Sequence, residues 1–114
     1  MWAEALCMPY DKLEMKAAHL RRVRKVLDEG VPECDVMVYG ARAQGKGRSW
    51  SYLDLAVMSD SPLGGDRLRK LAEGFDRARL PFRVETVDWA ATGAGFRREI
   101  KRSAVLLKKA SREG

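Results

Sequence analysis

Histidine is almost missing from this chain: His19 is the single one in 114 residues. Zinc needs several imidazole or thiolate ligands, and the two cysteines, Cys7 and Cys34, stand apart rather than in a Cys-x-x-Cys pair. A zinc centre is therefore excluded, and so is a disulfide framework. The two residues read as free thiols in a reducing cytosol. No apolar run approaches the roughly 20 residues a membrane helix needs. The apolar stretch 1–9 is too short for a secretory leader and lacks the basic start of one. A cytoplasmic protein with no membrane partner is the expectation. Internal repeats and low-complexity tracts are missing as well.

What is present suits one globular unit. The chain is 46% hydrophobic and 33% charged, at a length that builds one layered core rather than two. Residues 1–107 are expected to form a single domain and 108–114 a frayed basic tail. Lysine and arginine number 22 against 16 acidic residues, a net charge of +6. That balance attracts polyanions at low salt. The cations are spread out, with local concentrations at Arg21-Arg22-Val23-Arg24-Lys25 and Lys108-Lys109. Such faces more often stay solvated than bind nucleic acid.

Periodicity supplies the elements. Leu13, Ala17, Leu20, Val23, Val26 and Leu27 recur at helical spacing and predict a helix over 11–28, capped by Asp11 and ended by Gly30 and Pro32. Residues 34–39 and 53–58 read as short strands, separated by a polar, basic, glycine-containing loop. Leu68, Leu71, Ala72, Phe75 and Ala78 form the apolar stripe of a helix over 66–79. A strand over 82–89, a short helix over 96–101 and a final apolar piece at 104–107 complete the order. The fold class is α+β, a small mixed sheet packed against helices. His19 reads as a helix-surface residue and Trp89 as a core or edge anchor. Trp50 and Tyr52 flank the loop, where core packing is a commoner fate than stacking on a base or a partner.

The loop between the first two strands holds the informative residues. Gly40-Ala41-Arg42-Ala43-Gln44-Gly45-Lys46 has the spacing of a P-loop. Gly47 stands where such a loop needs Ser or Thr for Mg²⁺, and a strand follows where a helix should. That assignment fails. The same residues, followed by Ser51-Tyr52-Leu53-Asp54-Leu55-Ala56-Val57, resemble the signature of minimal nucleotidyltransferases of the polymerase-β-like superfamily. In that family a strand ends in Gly-Ser, Arg-x-x-Gly follows, and a loop leads to Asp-x-Asp on the next strand. Downstream, Leu80-Pro81-Phe82-Arg83-Val84-Glu85-Thr86-Val87-Asp88-Trp89 resembles the family's third strand, and Phe96-Arg97-Arg98-Glu99-Ile100 the helix after it. The likeness runs from about Val36 to about Leu107.

The resemblance implies a polymerase-β palm-like fold and a particular chemistry. Nucleotidyl transfer is an in-line displacement at phosphorus, in which two Mg²⁺ ions clamp the attacking and leaving oxygens. Mg²⁺ takes oxygen ligands, chiefly carboxylates, water and phosphate. Acids spaced i, i+2 on a strand share a face, which suits the family's Asp-x-Asp. Here Asp54 stands at the second acid position and Glu85 at the third, so these two would be the catalytic and metal-holding groups. Asp88 lies on the opposite face from Glu85 and reads as a strand-end polar residue. The first acid position is Tyr52, a neutral phenol, and the serine position is Ala41, which has no hydroxyl. Gly40, Ala41, Arg42, Lys46 and Arg48 would line the nucleotide's phosphates through backbone N–H groups and loop cations. The Mg²⁺ site is thereby weakened, with ATP as substrate or ligand.

Short members of the superfamily resemble the antitoxin half of a two-gene pair whose partner is a helical HEPN-type protein, commonly a ribonuclease. The leading expectation is an antitoxin-like partner-binding protein with weak or lost transfer, in effect a pseudoenzyme. The alternative is an active Mg²⁺-dependent enzyme moving AMP from ATP onto that partner, and a third is a nonspecific nucleic-acid-binding module. A homodimer is also compatible with so small a domain.

Overall fold

The computed structural model describes residues 15–46, 48 and 51–111. Cys7, the Asp11 cap, Gly47, Trp50 and residues 112–114 lie outside the described residues. The elements are α1 (Ala17–Gly30), β1 (Asp35–Tyr39), β2 (Leu53–Met58), α2 (Gly65–Arg77), β3 (Val84–Asp88), a 3-10 turn (Trp89–Ala91), α3 (Ala94–Ser103) and β4 (Val105–Lys108). The four strands form one sheet in the order β3-β2-β1-β4. β1 runs antiparallel to both β2 and β4, whereas β3 is parallel to β2. The sheet is therefore mixed, with β3 and β4 as its edges, as the α+β reading requires.

Helices cover both faces. Leu20, Val23 and Leu27 of α1 and Leu71 and Phe75 of α2 bury against Val36, Val38, Leu53, Leu55, Val57 and Leu107. The other face is smaller: Met37, Ala56 and Leu106 meet Ile100 of α3 and Ala104. The apolar positions of α1 fall on one side because they recur at helical spacing, which turns the arginines outward. Asp66 in the first turn of α2 and Arg77 in its last complement the helix dipole.

Differences from the sequence reading lie at the ends of elements. Within the described residues α1 begins at Ala17, after an extended Lys16 that offers no side-chain cap. β3 begins at Val84, because Pro81 and Phe82 sit in a bend with the Phe82 ring tucked inward. The apolar piece at 104–107 is an edge strand on β1.

Lys108, expected in a basic tail over 108–114, needs correction. It ends β4 and is buried. Its ammonium donates to the carbonyls of Val31 at 3.0 Å and Pro32 at 3.3 Å, and lies 3.6 Å from Asp28. The chain just beyond α1 presents carbonyl acceptors that need donors, and Lys108 reaches them. Further on, the Ala110 N–H donates to the Asp35 carboxylate and the Ser111 N–H to the Pro32 carbonyl, both at 2.7 Å.

Asp88 fixes the other end of the β2–β3 pair. Its buried carboxylate accepts a hydrogen bond from the Ser59 hydroxyl and another, at 2.7 Å, from the Leu63 N–H. It thus ties the chain after β2 to the end of β3, the structural part its phase suggested. Asp88→Ala leaves both donors without this acceptor and should cost about 2–3 kcal/mol. The expected sign is a lower urea midpoint with an unchanged slope; an unchanged midpoint would mean that water replaces the carboxylate.

Candidate active site

Strand alternation decides which side chains meet. Leu53, Leu55 and Val57 face α1 and α2, so Asp54 and Ala56 face the α3 side. In the register, Tyr39 of β1 lies opposite Asp54 of β2, and Asp54 opposite Glu85 of β3. The three form one row across the sheet. Neighbouring strands are about 4.8 Å apart, so the two carboxylates predicted from the sequence stand side by side. Asp54 is half-buried and Glu85 exposed. Burial, and then the charge of Glu85, push the Asp54 pKa above the ordinary carboxylate value. Burial, followed by the charges of Asp54 and Glu85, likewise pushes the Tyr39 phenol up.

Gly40 packs directly on this row. Its φ is +79°, and a Cβ there would lie 2.9 Å from Asp54 Oδ2. The Gly40 N–H donates to Ser103 Oγ of α3 at 2.9 Å. The chain then makes a tight turn in which the Gln44 N–H bonds to the Gly40 and Ala41 carbonyls at 3.2 Å and the Lys46 N–H to the Ala41 carbonyl at 2.9 Å. Those N–H groups are engaged within the turn. Ala41 is exposed, with a methyl where the family pattern has a hydroxyl. Beside the turn a cavity of about 330 Å³ is lined by Tyr39, Gly40, Gln44, Phe96, Arg102 and Ser103 among others. Phe96 meets Tyr39 edge-on at 5.8 Å.

Arg42 departs most from the sequence reading. Expected to line a nucleotide's phosphates as a loop cation, it is 1% exposed. Its Nε and a terminal nitrogen donate to the Ser51 carbonyl at 3.0 and 2.8 Å, and its guanidinium lies 4.4 Å from the centre of the Phe82 ring. The loop folds back toward the start of β3, and the half-buried Ser51 carbonyl takes its donors from Arg42. Lys46 and Arg48 are exposed. The Arg48 N–H donates to Ser51 Oγ at 2.9 Å.

A second row lies beside the carboxylates. Tyr52 precedes Asp54 by two residues and Arg83 precedes Glu85 by two. The Leu53 N–H bonds to the Arg83 carbonyl at 2.8 Å, and the Arg83 guanidinium sits 5.9 Å from the centre of the Tyr52 ring. Tyr52 is 54% exposed, so the core packing expected of it is overturned. Trp89 is a half-buried edge anchor beneath Arg97, which also donates to the Trp89 carbonyl. His19 meets Phe82 edge-on at 6.1 Å.

This donor set can be tested against the metals the fold implies. Two Mg²⁺ ions sharing one site need several hard oxygen ligands around them. The face offers two carboxylates, with a phenol and a guanidinium in the adjacent row. No group of three or more His, Cys, Asp or Glu among the described residues is placed to hold a metal. A two-ion clamp does not fit these residues.

Tyr39, Arg83 and Ser103 are the neighbours that sequence reasoning missed. Alternation along β1 and β2 carried a usable signal for Tyr39. Nothing local marks Ser103, which meets Gly40 only through the packing of α3.

The mixed sheet with two helices on one face and one on the other, and paired acids beside a glycine turn, define a minimal nucleotidyltransferase-type domain. No family model matches the chain. It is 35% identical over 99 residues to the Haemophilus influenzae protein named "Probable protein adenylyltransferase MntA", covering 87% of each sequence. The chain belongs to the MntA family of minimal nucleotidyltransferases. Its fold is similar to that of a chain in a crystal structure of a toxin-antitoxin with AMP-PNP, with a TM-score of 0.67 at 19% identity, covering 81% of this chain and 74% of that one. It is also similar to a chain in a structure of tri-AMPylated Shewanella oneidensis HEPN toxin in complex with MNT antitoxin, with a TM-score of 0.63 at 16% identity, covering 82% and 71%. At those identities the likeness establishes the fold.

Two measurements test the geometry. A left-handed backbone alone costs a non-glycine residue about 1 kcal/mol, which is the expected cost of Gly45→Ala, where φ is +72° and the space is open. Gly40→Ala should cost measurably more, and the excess should vanish in an Asp54→Ala background. Equal costs at the two glycines would show that the carboxylate swings aside freely. The second concerns pH. Because the folded Asp54 pKa is raised, the unfolded chain ionises first, and stability falls as pH rises from the unfolded value through the folded one. Asp54→Asn should remove that decline, gaining under about 1 kcal/mol at neutral pH after solvent screening and nothing in acid. A gain equal at both pH extremes would refute this origin.

Proposed function

We propose that this chain is an antitoxin-like member of the MntA family that binds a helical HEPN-type protein and has weak or lost nucleotidyl transfer. The observation that carries the loss is Tyr52. It stands at the first acid position of the family pattern, exposed and on the face of Asp54 and Glu85, with the Arg83 guanidinium over its ring. A phenol is a poorer Mg²⁺ ligand than a carboxylate. Ala41 removes a hydroxyl donor from the same small site, and two losses are harder to compensate than one. The partner is supported by the relatives: the similar Shewanella oneidensis structure pairs an MNT antitoxin with a HEPN toxin.

Nucleotide binding fits the same site. ATP is its ligand, held near Gly40, Ala41, Lys46 and Arg48, and any remaining Mg²⁺ is held weakly by Asp54 and Glu85. Arg42 supports the loop from beneath. One observation favours a second reading, an active Mg²⁺-dependent enzyme moving AMP from ATP onto its partner: Asp54 and Glu85 are register partners on one face, in a chain 35% identical to a protein named as an adenylyltransferase.

The deciding experiment is co-expression with the helical protein of the adjacent gene, followed by transfer from labelled ATP with Mg²⁺. The native chain should co-elute with that protein and label it weakly or not at all. Ala41→Ser with Tyr52→Asp should co-elute equally and label it at least about tenfold more, a change of about 1.4 kcal/mol in barrier. Robust labelling by the native chain, abolished by Asp54→Ala, would establish the second reading instead. Absence of co-elution would remove the antitoxin-like role.

A further inference from the structure

Tyr52 does more than displace a carboxylate. Its ring carries the Arg83 guanidinium at 5.9 Å, within reach of a cation–π contact. The two residues sit just before the facing acids on parallel strands, so a phenol–guanidinium row adjoins the carboxylate row on one face. The backbone beneath both is fixed. Arg42 holds the Ser51 carbonyl and packs on Phe82, the residues immediately before Tyr52 and Arg83. The Leu53 N–H then closes on the Arg83 carbonyl at 2.8 Å. Arg83 itself is exposed and forms no ion pair among the described residues.

A polyphosphate cannot approach two adjacent carboxylates unless positive charge stands between them. In a metal-dependent site the ions supply that charge; here the donor set does not fit two ions, and a guanidinium occupies the neighbouring row. Guanidinium is charged at every relevant pH and presents a planar fork of donors matched to phosphate oxygens. Lys46 and Arg48 are exposed on the loop that leads into Tyr52. We propose that Arg83, seated on the Tyr52 ring, replaces metal charge at this site, so that a nucleoside triphosphate binds here without a divalent cation. The inference rests on the nucleotide-binding part of the proposed function and not on partner binding.

The test is calorimetric titration of the full chain with AMP-PNP, in excess EDTA and separately in excess Mg²⁺. The native chain should bind in EDTA with an affinity indistinguishable from that in Mg²⁺. Arg83→Gln should weaken binding in EDTA roughly ten- to hundredfold, the worth of a charge-assisted hydrogen bond, while Arg83→Lys loses less. Because Arg83 is exposed, the unliganded melting temperature of these variants should stay unchanged, which separates lost binding from lost folding. Tyr52→Asp should reverse the metal dependence, binding poorly in EDTA and recovering in Mg²⁺. Native binding only with Mg²⁺, EDTA binding indifferent to Arg83→Gln, or no binding in either buffer overturns the proposal. Co-elution with the HEPN-type partner, measured on the same samples, reports on the antitoxin-like role separately.

Discussion

The arrangement of the carboxylate face depends on one buried charge, the Arg42 guanidinium. An unpaired charge inside a protein costs several kcal/mol, so its position is tolerable only with partners in place. Arg42 has them: two donated hydrogen bonds to the Ser51 carbonyl and the face of Phe82. These contacts join three pieces of chain, namely the turn after β1, the approach to β2 and the approach to β3. Ser51 lies just upstream of Asp54, and Phe82 just upstream of Glu85. Setting one guanidinium sets the entry of both acid-bearing strands. Lysine could not substitute, because a single ammonium lacks the planar fork and the stacking face.

The far end of the same strand pair is held by a second buried polar group. Asp88 gathers the Ser59 hydroxyl and the Leu63 N–H. With Arg42 at one end and Asp88 at the other, β2 and β3 are anchored at both ends. That matters because a one-residue slip would turn every side chain to the opposite face. Asp54 would then point into the α1–α2 core and Leu55 toward the site. The pairing of Asp54 with Glu85 is thus a consequence of polar contacts that involve neither acid.

Much of this was legible in the sequence, for definite reasons. The strand over 53–58 was found to the residue, since six residues rich in branched apolar side chains lie between polar loops. Asp54 and Glu85 followed from a motif frame, and the face of Asp88 from alternation alone. Arg42 was misread because local sequence shows a cation in a polar glycine loop, the usual pattern of a solvated residue. Part of its environment is the Phe82 ring, distant along the chain. Lys108 was misread for the same reason: two adjacent lysines near a terminus suggest solvent, while the acceptors that hold it lie beyond α1. Tyr52 went the other way, an aromatic beside a strand that tertiary structure leaves uncovered. For Arg42 and Lys108 a partner that buries the cation, Phe82 or the carbonyls beyond α1, is remote in sequence, so no window of neighbouring residues could contain it.

The positions that match the family pattern and those that break it differ physically. Gly40 and Arg42 match, and both have structural reasons to be what they are: a Cβ at Gly40 would press on the Asp54 carboxylate, and Arg42 joins three segments. Ala41 and Tyr52 break the pattern, and both are exposed, where substitution costs the fold little. A chain needing only its frame would keep the first pair and be free at the second. Asp54 does not fit that division. Its half-buried carboxylate beside Glu85 ionises reluctantly, so at neutral pH it subtracts from stability. No hydrogen bond or ion pair to its carboxylate among the described residues offsets that cost, and fold maintenance alone supplies no reason for an acid there. A ligand or a partner surface at this face would supply one.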